Sequence, residues 1–134
     1  MFFEKRYFKK YDIEITLIYS DCRLDTPATY ISKYNAVIVD NTANNEDIEK
    51  ALLHELGHKI KHENVKELYH SAPSTHIKME HEANEFMVNE LVSEYINSNY
   101  ADASTINFSN FATSNHLSDI NIVKKAIKKQ LKLQ

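Results

Sequence analysis

Residues 54–58 read His54-Glu55-Leu56-Gly57-His58, and they hold the chain's only glycine. Two histidines four positions apart face the same way only if the segment is helical, where one turn separates them. On such a helix both imidazoles reach one metal ion, and H-E-x-x-H is the spacing of a catalytic zinc helix. Glu55 lies roughly 100° around the helix from His54. It sits beside the metal rather than on it, where its carboxylate can take a proton from the attacking water. The lead-in from Glu46 to Leu53 contains neither Pro nor Gly, so a helix over about 45–62 is expected. Ile48, Leu52, Leu53, Leu56 and Ile60 fill its apolar side, and His54, Glu55 and His58 share the other. A mid-helix glycine costs about 0.5–1 kcal/mol relative to alanine, so Gly57 implies a close approach by another backbone or a ligand.

Such a helix needs a layer on each side. Upstream, Ile13, Ile15 and Leu17 alternate with Glu14 and Thr16, a half-buried strand running on to Tyr19. Residues 29–31 are expected as a short strand and 36–39 as a second β-branched strand, closed by Asp40-Asn41. The 36–39 strand is a candidate open edge for an extended peptide. Residues 2–11, rich in aromatics and lysine, are expected as a short helix. Downstream, a polar loop over about 63–75 precedes a long helix over about 76–97. Two further helices are expected over about 107–116 and 118–132, with Asn107 and Ser118 as caps. The fold class is therefore α+β, a small sheet packed with a helical layer. It forms one domain over 1–134, with its core at about 36–97 and a helical extension at about 101–134.

A catalytic zinc takes three protein ligands and leaves one position open. A third histidine six residues beyond the second is absent, because Asn64 stands there, and Lys61 occupies the glycine position of that pattern. The next candidates lie in the following helix. Glu80, Ala83, Asn84, Met87 and Leu91 form one partly apolar, inward stripe. Glu82 and Glu85 turn to the other side with Asn89 and Ser93, toward solvent. Glu80 is thus the expected third ligand, with His76, one turn earlier on the stripe, as the fallback. Asn84 and His62 are candidates for orienting a ligand from outside the metal's own shell. Tyr69, His70 and His76 are candidates for stabilising an oxyanion at the entrance.

His54-Glu55-Leu56-Gly57-His58, with His62 four residues on, is followed by Glu80-x-Glu82-Ala83-Asn84-x-Phe86. These two motifs at this spacing resemble the ImmA/IrrE metallopeptidases, over about residues 36–92. The resemblance implies a zincin-like domain in which the first glutamate of the second motif, Glu80, is the third zinc ligand. It also implies the company that proteins of this kind keep. Compact members are often encoded by bacteriophages and mobile elements, and some inactivate a repressor by cutting it. The chain departs from the family at Met87, where alanine is usual, and at Leu91-Val92-Ser93-Glu94, which replaces a Leu-Leu-Met-Pro ending.

The expected function is a zinc-dependent endopeptidase acting on a specific cytosolic protein, a DNA-binding repressor being the kind of substrate the resemblance suggests. The rival class is a zinc-stabilised module that regulates a partner without cutting it, and the presence of Glu55 favours the enzyme. A net charge of −3 argues against direct nucleic-acid binding. Lys124, Lys125, Lys128, Lys129 and Lys132 read as a solvated helix face that complements the helix dipole. A charged N-terminus without an apolar run, no stretch long enough to span a membrane, and a single cysteine, Cys22, together suit a cytoplasmic location.

Overall fold

A computed structural model of the chain describes residues 2–62, 73–99 and 102–133. Strands β1 (Phe2–Phe8) and β2 (Ile13–Ser20) form an antiparallel hairpin, with Phe3 opposite Ile18 and Arg6 opposite Ile15. β3 (Ala28–Ile31) and β4 (Ala36–Asp40) follow, and the sheet order is β1-β2-β4-β3. β4 runs parallel to β2 and antiparallel to β3, so the sheet is mixed. The α-helices among the described residues are α1 (Asn45–His62), α2 (Pro73–Asn99), α3 (Phe108–Ser114) and α4 (Ile120–Leu133). The class is α+β, with a small four-stranded sheet. No helix among the described residues is long and apolar enough to cross a membrane.

The alternation read in β2 is the one that folds: Ile15 and Leu17 are fully buried, while Glu14 is exposed. They join Val37, Val39, Leu52, Leu56 and Phe86 in the core between sheet and helices. Three expectations fail on particular residues. Residues 2–8 form a strand rather than a helix, and only Lys9–Tyr11 make a short 3-10 turn. The aromatic side chains suit a pleated surface, and Arg6 is pulled inward by Glu49 of α1 through two hydrogen bonds of 2.6 and 2.9 Å. β4 is not an open edge, because it is paired on both sides; β3 and β1 carry the edges. α2 begins at Pro73 rather than near 76, since proline is well suited to a helix's first position, where no amide partner is needed.

The turn from β4 into α1 fixes where the motif helix starts. Buried Asp40 accepts hydrogen bonds from the Thr42 amide at 2.8 Å, the Thr42 hydroxyl at 2.6 Å and the Leu24 amide at 3.1 Å. These bonds, the Thr42 hydroxyl first, hold its carboxyl below the usual carboxylate range. Asn44 then caps α1, its side-chain oxygen accepting from the Asp47 amide at 2.8 Å. Downstream, Asn107 caps α3 as expected. The cap of α4 is Asp119 rather than Ser118, accepting from the Asn121 and Ile122 amides at 3.0 and 3.3 Å. α3 stops at Ser114, two residues early, because His116 takes a left-handed conformation (φ 54°) and the Leu117 amide turns back to the Ala112 carbonyl at 2.8 Å.

Gly57 sits where α1 and α2 touch. A Cβ there would lie 3.1 Å from Phe86 Cβ and 3.2 Å from the Ala83 backbone. The absent side chain is thus the reason the two helices come this close, as the sequence implied. Gly57→Val is expected to overpack the contact and lower the unfolding free energy by about 2–3 kcal/mol. The check is a lowered urea midpoint with an unchanged slope. An unshifted midpoint would mean that α2 retreats without cost and the contact is not tight.

Candidate metal centre

α1 and α2 cross with His54 and His58 on one and Glu80 on the other. His54 Nε2 lies 3.0 Å from Glu80 Oε2, and His58 Nε2 lies 2.8 Å from Glu80 Oε1. One ligand atom from each of the three residues falls within 4.8 Å of the others, and among the described residues this is the only such group. Tetrahedral ligands at about 2.0–2.1 Å from a zinc ion stand about 3.3 Å apart, so the spacing fits a metal ion. Two imidazoles and a carboxylate also suit other divalent transition metals. All three side chains are partly enclosed, His58 the most and Glu80 the least. Burial lowers the proton affinity of His58, against the opposing charge of Glu80, which favours the neutral imidazole that a metal requires.

Glu55 lies beside this group and lines the same groove as His54 and Glu80. Burial raises its proton affinity, partly offset by His54, while Glu80 adds to the rise. The nearby Tyr30 backbone amide opposes the rise. β3, which carries Tyr30, also brings Ala28 and Thr29 to the groove wall.

The groove has a volume of about 790 Å³. One wall comes from α1 through Lys50, Ala51 and His54, and another from α2 through Glu80, Asn84, Met87 and Val88. The far wall is the α3–α4 turn, His116 to Asp119, which sequence reasoning missed. No local pattern marks that turn, since only tertiary packing brings it to the site. Lys50 ties it down, donating to the Asn115 carbonyl at 2.9 Å.

The other expected residues divide. Asn84 lines the groove one turn beyond Glu80, without a hydrogen bond to His54 or His58. His76 is exposed on the first turns of α2 and is not in the converging group. Tyr69 and His70 lie outside the described residues. His62 is buried behind His58, their Nδ1 atoms 3.1 Å apart. Glu82 and Glu85 do not simply point to solvent. Glu82 Oε2 lies 3.4 Å from His62 Nε2, and Glu85 meets His81 at 2.8 Å and Lys125 at 3.0 Å. The helical phase separating them from Glu80 was right, but His62 and α4 occupy the space assigned to water. Comparison with protein-family models, curated proteins and solved structures finds no match for this chain.

Proposed function

We propose that this chain is a zinc-dependent endopeptidase with a zincin-like site, of the ImmA/IrrE kind that its two motifs resemble. The observation that carries the reading is the convergence of His54, His58 and Glu80, with Glu55 lining the same groove as His54 and Glu80. A zinc ion bound there would supply a Lewis acid that makes water a better nucleophile and polarises the scissile carbonyl. His54, His58 and Glu80 would hold the ion. Glu55 takes the proton of the attacking water and returns it to the leaving amine. A site built only for structure would have no use for a desolvated carboxylate standing next to its ligands.

The groove suits a peptide. An extended segment laid in it runs beside β3, with Thr26, Ala28 and Thr29 on one flank and Met87, Val88 and Leu117 on the other. A specific protein substrate fits this better than general proteolysis, and a repressor encoded by a phage or mobile element is the kind the resemblance favours.

The test begins with protein purified without chelator, which should carry close to one zinc per chain. Incubated with proteins encoded beside its gene, it should release discrete fragments of one of them, and a chelator should stop the release. Failure to hold or take up any transition metal overturns the reading. Zinc binding with stable partner capture and no fragments overturns the enzyme and leaves a zinc-stabilised binding module.

A further inference from the structure

His62 closes α1 and is 7% exposed, less than either His54 or His58. Both of its ring nitrogens are engaged. Its Nδ1 faces His58 Nδ1 at 3.1 Å, and its Nε2 lies 3.4 Å from Glu82 Oε2. On the far side of His58, Nε2 faces Glu80 at 2.8 Å. The residues thus stand in the order Glu80, His58, His62, Glu82.

Two Nδ1 atoms facing each other form a hydrogen bond only if one carries the proton and the other offers its lone pair. Nothing in the two imidazoles alone decides which. Glu82 decides it, because an ionised carboxylate only accepts. It takes the Nε2–H of His62, which leaves His62 Nδ1 bare. That nitrogen accepts from the Nδ1–H of His58, and the lone pair of His58 is then on Nε2, toward His54 and Glu80.

We infer that His62 and Glu82 form a positioning relay that holds His58 in the tautomer whose Nε2 binds the metal. The inference rests on the proposed zinc site and adds two residues outside it. A histidine ligand normally donates its second ring N–H to a carboxylate, carbonyl or water. Here that acceptor is a second histidine, polarised in turn by a carboxylate from the neighbouring helix. The relay also joins α1 to α2 a second time, one turn beyond the metal group. Glu82 lies two residues after Glu80, so one stretch of α2 supplies both a ligand and the end of the relay.

The test is zinc affinity by competition with a chromophoric chelator, together with ring-nitrogen NMR of the zinc-loaded protein. His62→Leu fills the space without an acceptor and should weaken zinc binding about 10–100-fold. Glu82→Ala, at a partly exposed position that leaves the core intact, should weaken it in the same direction. The double variant should be no weaker than His62→Leu alone, since Glu82 acts only through His62. His62→Gln, whose amide oxygen can accept, should recover part of the loss. The parent should show a protonated His58 Nδ1 with slow exchange, and His62→Leu should lose that slow exchange. Unchanged affinity in both single variants, additive losses in the double variant, or a bare His58 Nδ1 in the zinc-loaded parent would each overturn the relay while leaving the zinc site standing. A parent that binds no zinc would overturn the proposed function and the relay with it.

Discussion

Glu55→Gln is expected to fold, keep its zinc and lose substrate cleavage by a factor on the order of 10²–10⁴, the usual worth of a general base. The substitution preserves size and shape, so the local geometry has no reason to change. What it removes is the carboxylate that stands in the groove beside His54 and Glu80, the proposed proton acceptor. Burial already raises the proton affinity of Glu55, which is the direction a proton acceptor needs. The measurements are zinc content, thermal unfolding and single-turnover cleavage of the identified substrate. A variant that cuts as fast as the parent removes Glu55 from the mechanism. If it instead regulates the partner fully without cutting, the function is binding.

The second large effect is on the metal itself. His58→Ala should strip zinc, because it removes one of the three proposed ligands and the inner end of the contact to His62. The loss should exceed the roughly 100-fold upper figure for disturbing an outer partner. Linkage gives an independent reading, since a ligand that binds only the folded state stabilises it, by about 2.7 kcal/mol at a hundred times its dissociation constant. Added zinc should therefore raise the melting temperature of the parent and leave that of His58→Ala unmoved. Equal zinc-dependent stabilisation of both proteins would place the metal elsewhere. Glu80→Gln belongs to the same test, and a variant that holds zinc as tightly as the parent would remove Glu80 from the ligand set.

The parts of the molecule that were readable in the sequence are those whose signals are local. α1 shows its apolar side, its motif and its glycine within 18 residues, and helical periodicity alone put Glu80 on the inward stripe. β2 shows a clean alternation. What was not readable depends on partners far along the chain. Residues 2–8 carry enough charge to look helical, and only pairing with β2 and the Arg6–Glu49 contact make them a strand. Asp119 and Ser118 are both good caps, and one residue's difference in where α4 begins chooses between them. Glu82 was assigned to solvent because helical phase tells only that it turns away from Glu80, not that His62 waits there. The groove's far wall depends on His116 adopting a left-handed turn that a chain with one glycine gives to asparagine, aspartate or histidine instead, as it also does at Asp12 and Asn35.

α2 belongs to two cores. Its N-terminal half packs on the sheet core through Phe86, while Val88 and Val92 join Phe111, Ala112, Ile122, Val123, Ala126 and Ile127 in a separate cluster with α3 and α4. His54, Glu55 and His58 stand on α1 beside Leu52 and Leu56 of the first core, whereas the wall from His116 to Asp119 hangs from the second. Drift in residues of the α3–α4 cluster can therefore reshape what the groove admits without displacing His54, Glu55, His58 and Glu80. For the proposed peptidase, this architecture would separate choice of target from the reaction performed on it, and let the two evolve at different rates.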